Sequence, residues 1–243
     1  MKIKRASEVL WIYGLFFVAL GVAICSKSNL GVSMIAAPAF IVNEAIVPIW
    51  SGSTVGVIDY TIQGLLLILL CIVIRHFNWR YLLSFLAAVI YGYMLNFFLW
   101  LMGGISFDPV WLRWLMLLVG DVIVAFGVAC FFRTYLPLEV YELVVTEVTR
   151  RFNLNINKFK WIYDISLLVI SFLLAVFLFK DAGTFDWTTI GYNSYHHIGL
   201  GTIVTTIINA PIIAFMGKLI DKWFEYKPQF PKLARLARRN KPD

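Results

Sequence analysis

Apolar runs long enough to cross about 30 Å of hydrocarbon recur along the chain over Val9–Cys25, Val55–Ile74, Tyr81–Met102, Trp114–Phe132, Trp161–Phe179 and Gly199–Gly217. Each predicts a transmembrane helix. After the first and fourth runs come two shorter stretches, Val32–Ile46 and Leu138–Arg151, each entered through a polar break closed by Gly31 or Pro137. Segments of that length read as re-entrant or interfacial helices rather than spans. Alternating ten-residue segments of the outer-membrane barrel type are not seen.

The two breaks belong to a repeat. Val18-Ala19, Gly21-Val22-Ala23 and Leu30 match Val124-Ala125, Gly127-Val128-Ala129 and Leu136 at one constant offset, with basic Lys27 on basic Arg133. Each half therefore carries three spans and one short helix. Three is odd, so the second half inserts upside down relative to the first. The expected fold is an all-α integral membrane protein of about six transmembrane helices plus two short re-entrant helices, built from two inverted repeats. Residues 1–108 form the first repeat, 109–220 the second and 221–243 a basic tail.

Composition agrees with the pattern. Hydrophobic residues make up 60% of the 243 residues and charged ones 14%, which excludes a soluble domain. The net charge of +7 does not indicate nucleic acid, because the basic residues sit in short loops and tails. With both termini cytoplasmic, every Lys and Arg except Lys27, Arg113 and Lys180 falls on the inner side, as the positive-inside rule requires. An eight-span arrangement with parallel repeats fits less well, since Arg75, Arg80 and Arg133 would move out. The expected location is a bacterial inner membrane. Cys25, Cys71 and Cys130 read as small buried hydrophobes. Trp50, Trp79, Trp100, Trp111, Trp161 and Trp187 read as interfacial anchors, and Lys232–Lys241 as a segment lying on the anionic leaflet.

Leu30–Ser33 (LGVS), Leu136–Glu142 (LPLEVYE), Lys160–Asp164 (KWIYD) and Gly199–Thr202 (GLGT) resemble the YczE/YitT-type bacterial integral membrane family over nearly the whole chain. The most specific positions are Pro137, Glu139, Asp164, Gly199, Gly201 and Thr202. Ile35 departs from the pattern, standing where a Pro-containing turn is expected; Pro38 comes later. The resemblance implies a small multi-span inner-membrane protein and no settled activity.

Candidate ligand-binding residues are the polar groups that hydrocarbon makes expensive. Asp121 lies halfway along the fourth span. Glu139 and Glu142, three apart, share a helix face, although capping of a helix amino terminus explains Glu139 as well. Asp59 and Asp164 stand early in their spans, with Lys160 one turn before Asp164. Asn96 and Asn209 are deep amides that either bind substrate or join helices. Gly201 and Thr202 either let backbone approach a ligand or serve tight packing. His196 and His197 read as surface residues without the companions of a metal site.

No P-loop, H-E-x-x-H or G-x-S-x-G motif is present, so enzyme chemistry, a cofactor and a bound metal are not expected. The expected partners are the bilayer and a small-molecule or ion substrate, with a second copy or a membrane partner protein left open. Broken apolar segments at matching places in two halves point to a secondary transporter. The rival expectation is a non-transporting scaffold, or a substrate-binding subunit that works with a partner protein.

Overall fold

The computed structural model describes residues 3–180 and 191–227. In order these form β1 (Ile3–Ala6), α1 (Ser7–Lys27), α2 (Ala37–Ile46), α3 (Val55–Ile74), α4 (Arg80–Leu101), α5 (Val110–Phe131), α6 (Val140–Phe152), α7 (Ile156–Phe179), α8 (Leu200–Trp223) and β2 (Phe224–Lys227). Among the described residues, 6 helices are long and apolar enough to cross a membrane: α1, α3, α4, α5, α7 and α8. The short helices α2 and α6 have 10 and 13 residues, which rise about 15 and 20 Å. Neither can span, and the eight-span arrangement falls. The strands β1 and β2 pair in parallel, bringing the start of α1 and the end of α8 to one face, called here the terminal face.

The repeats are inverted, and glycines record it. An ideal Cβ on Gly21 of α1 would lie 2.7 Å from Val124 Cγ2 and 2.8 Å from Val124 N; one on Gly127 of α5 would lie 2.7 Å from Val18 Cγ2 and 2.8 Å from Val18 N. Gly21 and Gly127 are equivalent in the repeat, as are Val18 and Val124. Each contact is thus the other one turned about a two-fold axis. Gly14 and Gly120 share the same offset and complete the stripe. Low residue numbers of α1 meet high ones of α5, so the two helices run antiparallel. Small residues let backbones come this close in a membrane, where packing rather than water drives helix association.

The remaining packing keeps the symmetry. Both short helices pack between α3 and α7, while α4 packs on α1 and α8 on α5. The second spans differ in one respect. Helix α3 is zipped to α4 by the close approach of Gly56 to Gly92 and by Asn96, whereas α7 barely touches α8.

Each short helix starts deep in the molecule and ends at a face. The amide of Val140, first in α6, donates to Gln63 Oε1 near the middle of α3 at 3.1 Å. Toward its far end, Glu147 accepts from Tyr81 at the start of α4 (3.0 Å) and pairs with Arg150 (2.6 Å). Asn153 then closes the helix in the left-handed region, a frequent helix stop. Helix α2 is the inverse. Its carboxyl-terminal part brings Glu44 to His196 on the opposite face. Regular helix begins at Ala37 rather than Val32, because the Val32 amide donates to the His197 carbonyl (2.9 Å) and Met34–Ala36 form a turn, with the Ala36 and Ala37 amides donating to Ser33 O (3.0 and 2.9 Å). Pro38 occupies the first turn, where no amide is needed.

Candidate functional site

The two buried starts meet at one chamber. It encloses about 40 Å³, enough for a few waters, and both repeats line it. Val18 and Val22 of α1 stand across from Val124 and Val128 of α5. Tyr91, halfway along α4, and Asn209 and Ile213 of α8 close the sides. Ser33, Ile35 and Ala36 come from the first break and Glu139, Tyr141 and Glu142 from the second; Asp59 of α3 and the Lys160–Asp164 pair of α7 complete the wall.

Of the residues expected to bind a ligand, Asp59, Glu139, Glu142, Asp164 and Asn209 gather here. Their exposures are 1, 4, 5, 5 and 5%. Asp59 is held by neutral donors, Gln63 Nε2 to Oδ2 at 2.8 Å and the Tyr141 hydroxyl to Oδ1 at 3.2 Å. Gln63 also accepts the Val140 amide, so one amide side chain locks α3 to the start of α6. Asp164 Oδ1 lies 2.9 Å from Lys160 Nζ. Glu139 is the residue before α6, yet its side chain makes no capping bond. Its Oε1 is buried with no hydrogen-bond partner, and the same holds for Asn209 Oδ1. Glu139 Oε1 and Asn209 Oδ1 therefore lack any partner in a small chamber of largely apolar lining, whose four carboxylates one lysine only partly balances.

The other expected residues lie elsewhere. Asp121 is buried at the α1–α5 crossing near Cys25 and does not line the chamber; its Oδ2 has no hydrogen-bond partner. Asn96 joins helices: it accepts from the Gly56 amide at 2.8 Å and donates to Thr54 Oγ1 at 2.9 Å. Gly201 and Thr202 serve packing. The Gly201 amide donates to Leu30 O at 2.9 Å, and Gly31, at φ 110°, rests against the Thr202 hydroxyl. A side chain at position 31 would combine an unfavourable backbone with a clash.

The histidines, expected at the surface, are half-buried in the loop before α8. His196 Nδ1 is 2.9 Å from Glu44 Oε1, His197 Nε2 is 3.5 Å from Glu44 Oε2, and the His196 ring stacks on Phe179 with centroids 3.5 Å apart. Burial pushes the His197 imidazole below its ordinary range, with Glu44 opposing and His196 reinforcing the shift. Among the described residues no group of three or more His, Cys, Asp or Glu is arranged to hold a metal ion. Trp187 and Lys232–Lys241 lie outside the described residues.

Gln63, Tyr91 and Tyr141 were not singled out in the sequence as site residues, and Lys160 only as a neighbour of Asp164. Tyr141 and Lys160 fall inside the LPLEVYE and KWIYD segments. Gln63 carries the one available signal, an amide one turn after Asp59 in an otherwise apolar span.

Fold and chamber together define a multi-pass α-helical membrane protein made of two inverted repeats. The chain belongs to a family of unknown function (DUF6198), whose model matches residues 3–218. No curated protein and no solved structure matches it.

Proposed function

We propose that the protein is a secondary transporter whose site is the chamber at the start of α2 and α6, and that it works without enzymatic chemistry. One observation carries the reading. Ionisable and amide side chains from both repeats converge on a buried cavity, and two of their acceptors, Glu139 Oε1 and Asn209 Oδ1, have no partner. Buried carboxylates are costly in a membrane and mark ion or substrate pathways. Half-helices that meet at mid-depth on a repeat axis are the arrangement in which alternating access runs by rocking one repeat against the other.

A chamber with four carboxylates and one ammonium favours a proton, a cation or the cationic part of a substrate as occupant. The positive end of α6 does not argue for an anion, because its first amide is already taken by Gln63 and Glu142 stands in its first turn. Kinship with the YczE/YitT-type proteins and an inner-membrane location with cytoplasmic termini belong to the same proposal. The Pro137-x-Glu139 and Asp164 positions that carry the resemblance fall at or beside the chamber.

The test is uptake and efflux of a metabolite panel in proteoliposomes, with and without a proton gradient. Glu139→Gln is expected to lower flux at least about tenfold, the order set by removing one charged hydrogen-bonding partner. Asp121→Asn, outside the chamber, keeps flux within about twofold. Flux that survives Glu139→Gln unchanged refutes the site.

A further inference from the structure

The fold makes the two walls of the chamber equivalent, but their chemistry differs. At the repeat offset, Ser33, Ile35 and Ala36 correspond to Glu139, Tyr141 and Glu142. One wall is apolar with a single hydroxyl, the other acidic. The valines of α1 and α5 extend the apolar side.

This division selects among ligands. A bare metal cation needs a full shell of oxygens and gains nothing from alanine, isoleucine and valine. An anion meets carboxylates. A ligand with an ammonium head and a short hydrocarbon body suits both walls. The chain supplies its own precedent, since Lys160 is an alkylammonium whose Nζ sits 2.9 Å from Asp164 Oδ1 in the same chamber. Glu139 Oε1 and Asn209 Oδ1 remain, two acceptors without a donor. An ammonium group offers three donors and no acceptor.

We infer that the chamber binds a short-chain primary amine as its ammonium ion, the head on Glu139 and Asn209 and the hydrocarbon against Ile35, Ala36 and the valines. This rests on the chamber being the ligand site, and it is independent of whether the ligand is then moved. A chamber with room for only a few waters holds the chain to a few carbons. Simple primary amines are charged at neutral pH for the reason lysine is.

Calorimetric titration of the purified full chain in detergent with n-butylamine hydrochloride at neutral pH tests it, with sodium chloride, ammonium chloride and n-butanol as comparators. Saturable butylamine binding is expected, weakened about tenfold or more by Glu139→Gln, with no binding of n-butanol. Ala36→Leu, which fills the apolar wall, is expected to weaken butylamine and spare ammonium. If Glu139→Gln does not fold, Asn209→Leu reads the same contact. No butylamine binding, binding unchanged by Glu139→Gln, or sodium bound in its place overturns the assignment. Butylamine binding as described without flux in proteoliposomes defeats only the transporter reading; flux of another substrate without butylamine binding defeats only the amine.

Discussion

Glu139 shows why burial and partners must be considered together. A carboxylate just before a helix ordinarily caps it or answers its dipole, and the sequence allowed that account. The carboxyl instead leaves one oxygen buried and unpartnered at the chamber, an exception to the usual pairing of buried polar groups. Lys160 and Asp164 are the opposite case, two buried groups that answer each other at 2.9 Å. Removing one partner of such a pair strands the other charge, which costs about 3–5 kcal/mol, whereas replacing both by apolar groups is often neutral. Lys160→Met is therefore expected to destabilise the protein strongly, and Lys160→Met with Asp164→Leu to recover most of the loss. A denaturant series on the unsubstituted protein and the two variants measures the difference. Equal destabilisation by the single and double variants shows that the pair contributes packing rather than charge compensation.

At the scale of elements, the spans could be read from hydropathy because lipid imposes length and composition on each helix separately. Val55–Ile74 was read to the residue. The chamber was less legible, because it depends on how helices are rotated. Asp121 stood out by its depth in α5, but the face of α5 that meets α1 is set by Gly120, Val124 and Gly127, and Asp121 is not brought to the cavity by it. The glycine stripe, seven apart in both repeats, held that information. Gln63 and Tyr91 join the site only through packing of α3 and α4 against partners distant in sequence. The stripe makes its own prediction. Gly21→Ala and Gly127→Ala meet equivalent obstacles and are expected to lower stability by similar amounts, about 1–3 kcal/mol each. Gly104→Ala, with nothing within 4 Å, does not. Thermal unfolding in detergent reads all three, and clearly unequal costs for the first two speak against a symmetric crossing.

At the scale of the whole molecule, the inverted repeat fixes what motion is available. One break, with Leu30 and Val32, is held to the start of α8 and the preceding loop by backbone hydrogen bonds on the face opposite the termini. The other, Tyr135–Pro137, is held to α1 at the terminal face by side chains, Trp11 Nε1 donating to Pro137 O at 2.9 Å and the Tyr135 hydroxyl to Glu8. Side-chain latches open without unmaking backbone structure, so under the transporter proposal the terminal face would be the easier route to the chamber. Helix α7 packs on both short helices and only slightly on α8. In the proposed transport cycle, rocking about the α1–α5 crossing would expose the chamber to each face in turn. Ser33→Cys, in a background where Cys25, Cys71 and Cys130 are replaced by Ser or Ala, places a thiol on the apolar wall. In oriented vesicles it is expected to react with an impermeant maleimide applied from either face, and faster from the terminal one. Trp11→Phe, which removes one latch, speeds labelling from the terminal face by several-fold, since one hydrogen bond contributes about 1 kcal/mol. Labelling confined to a single face in both proteins means that the repeats do not rock, and a transporter mechanism built on their symmetry fails with it.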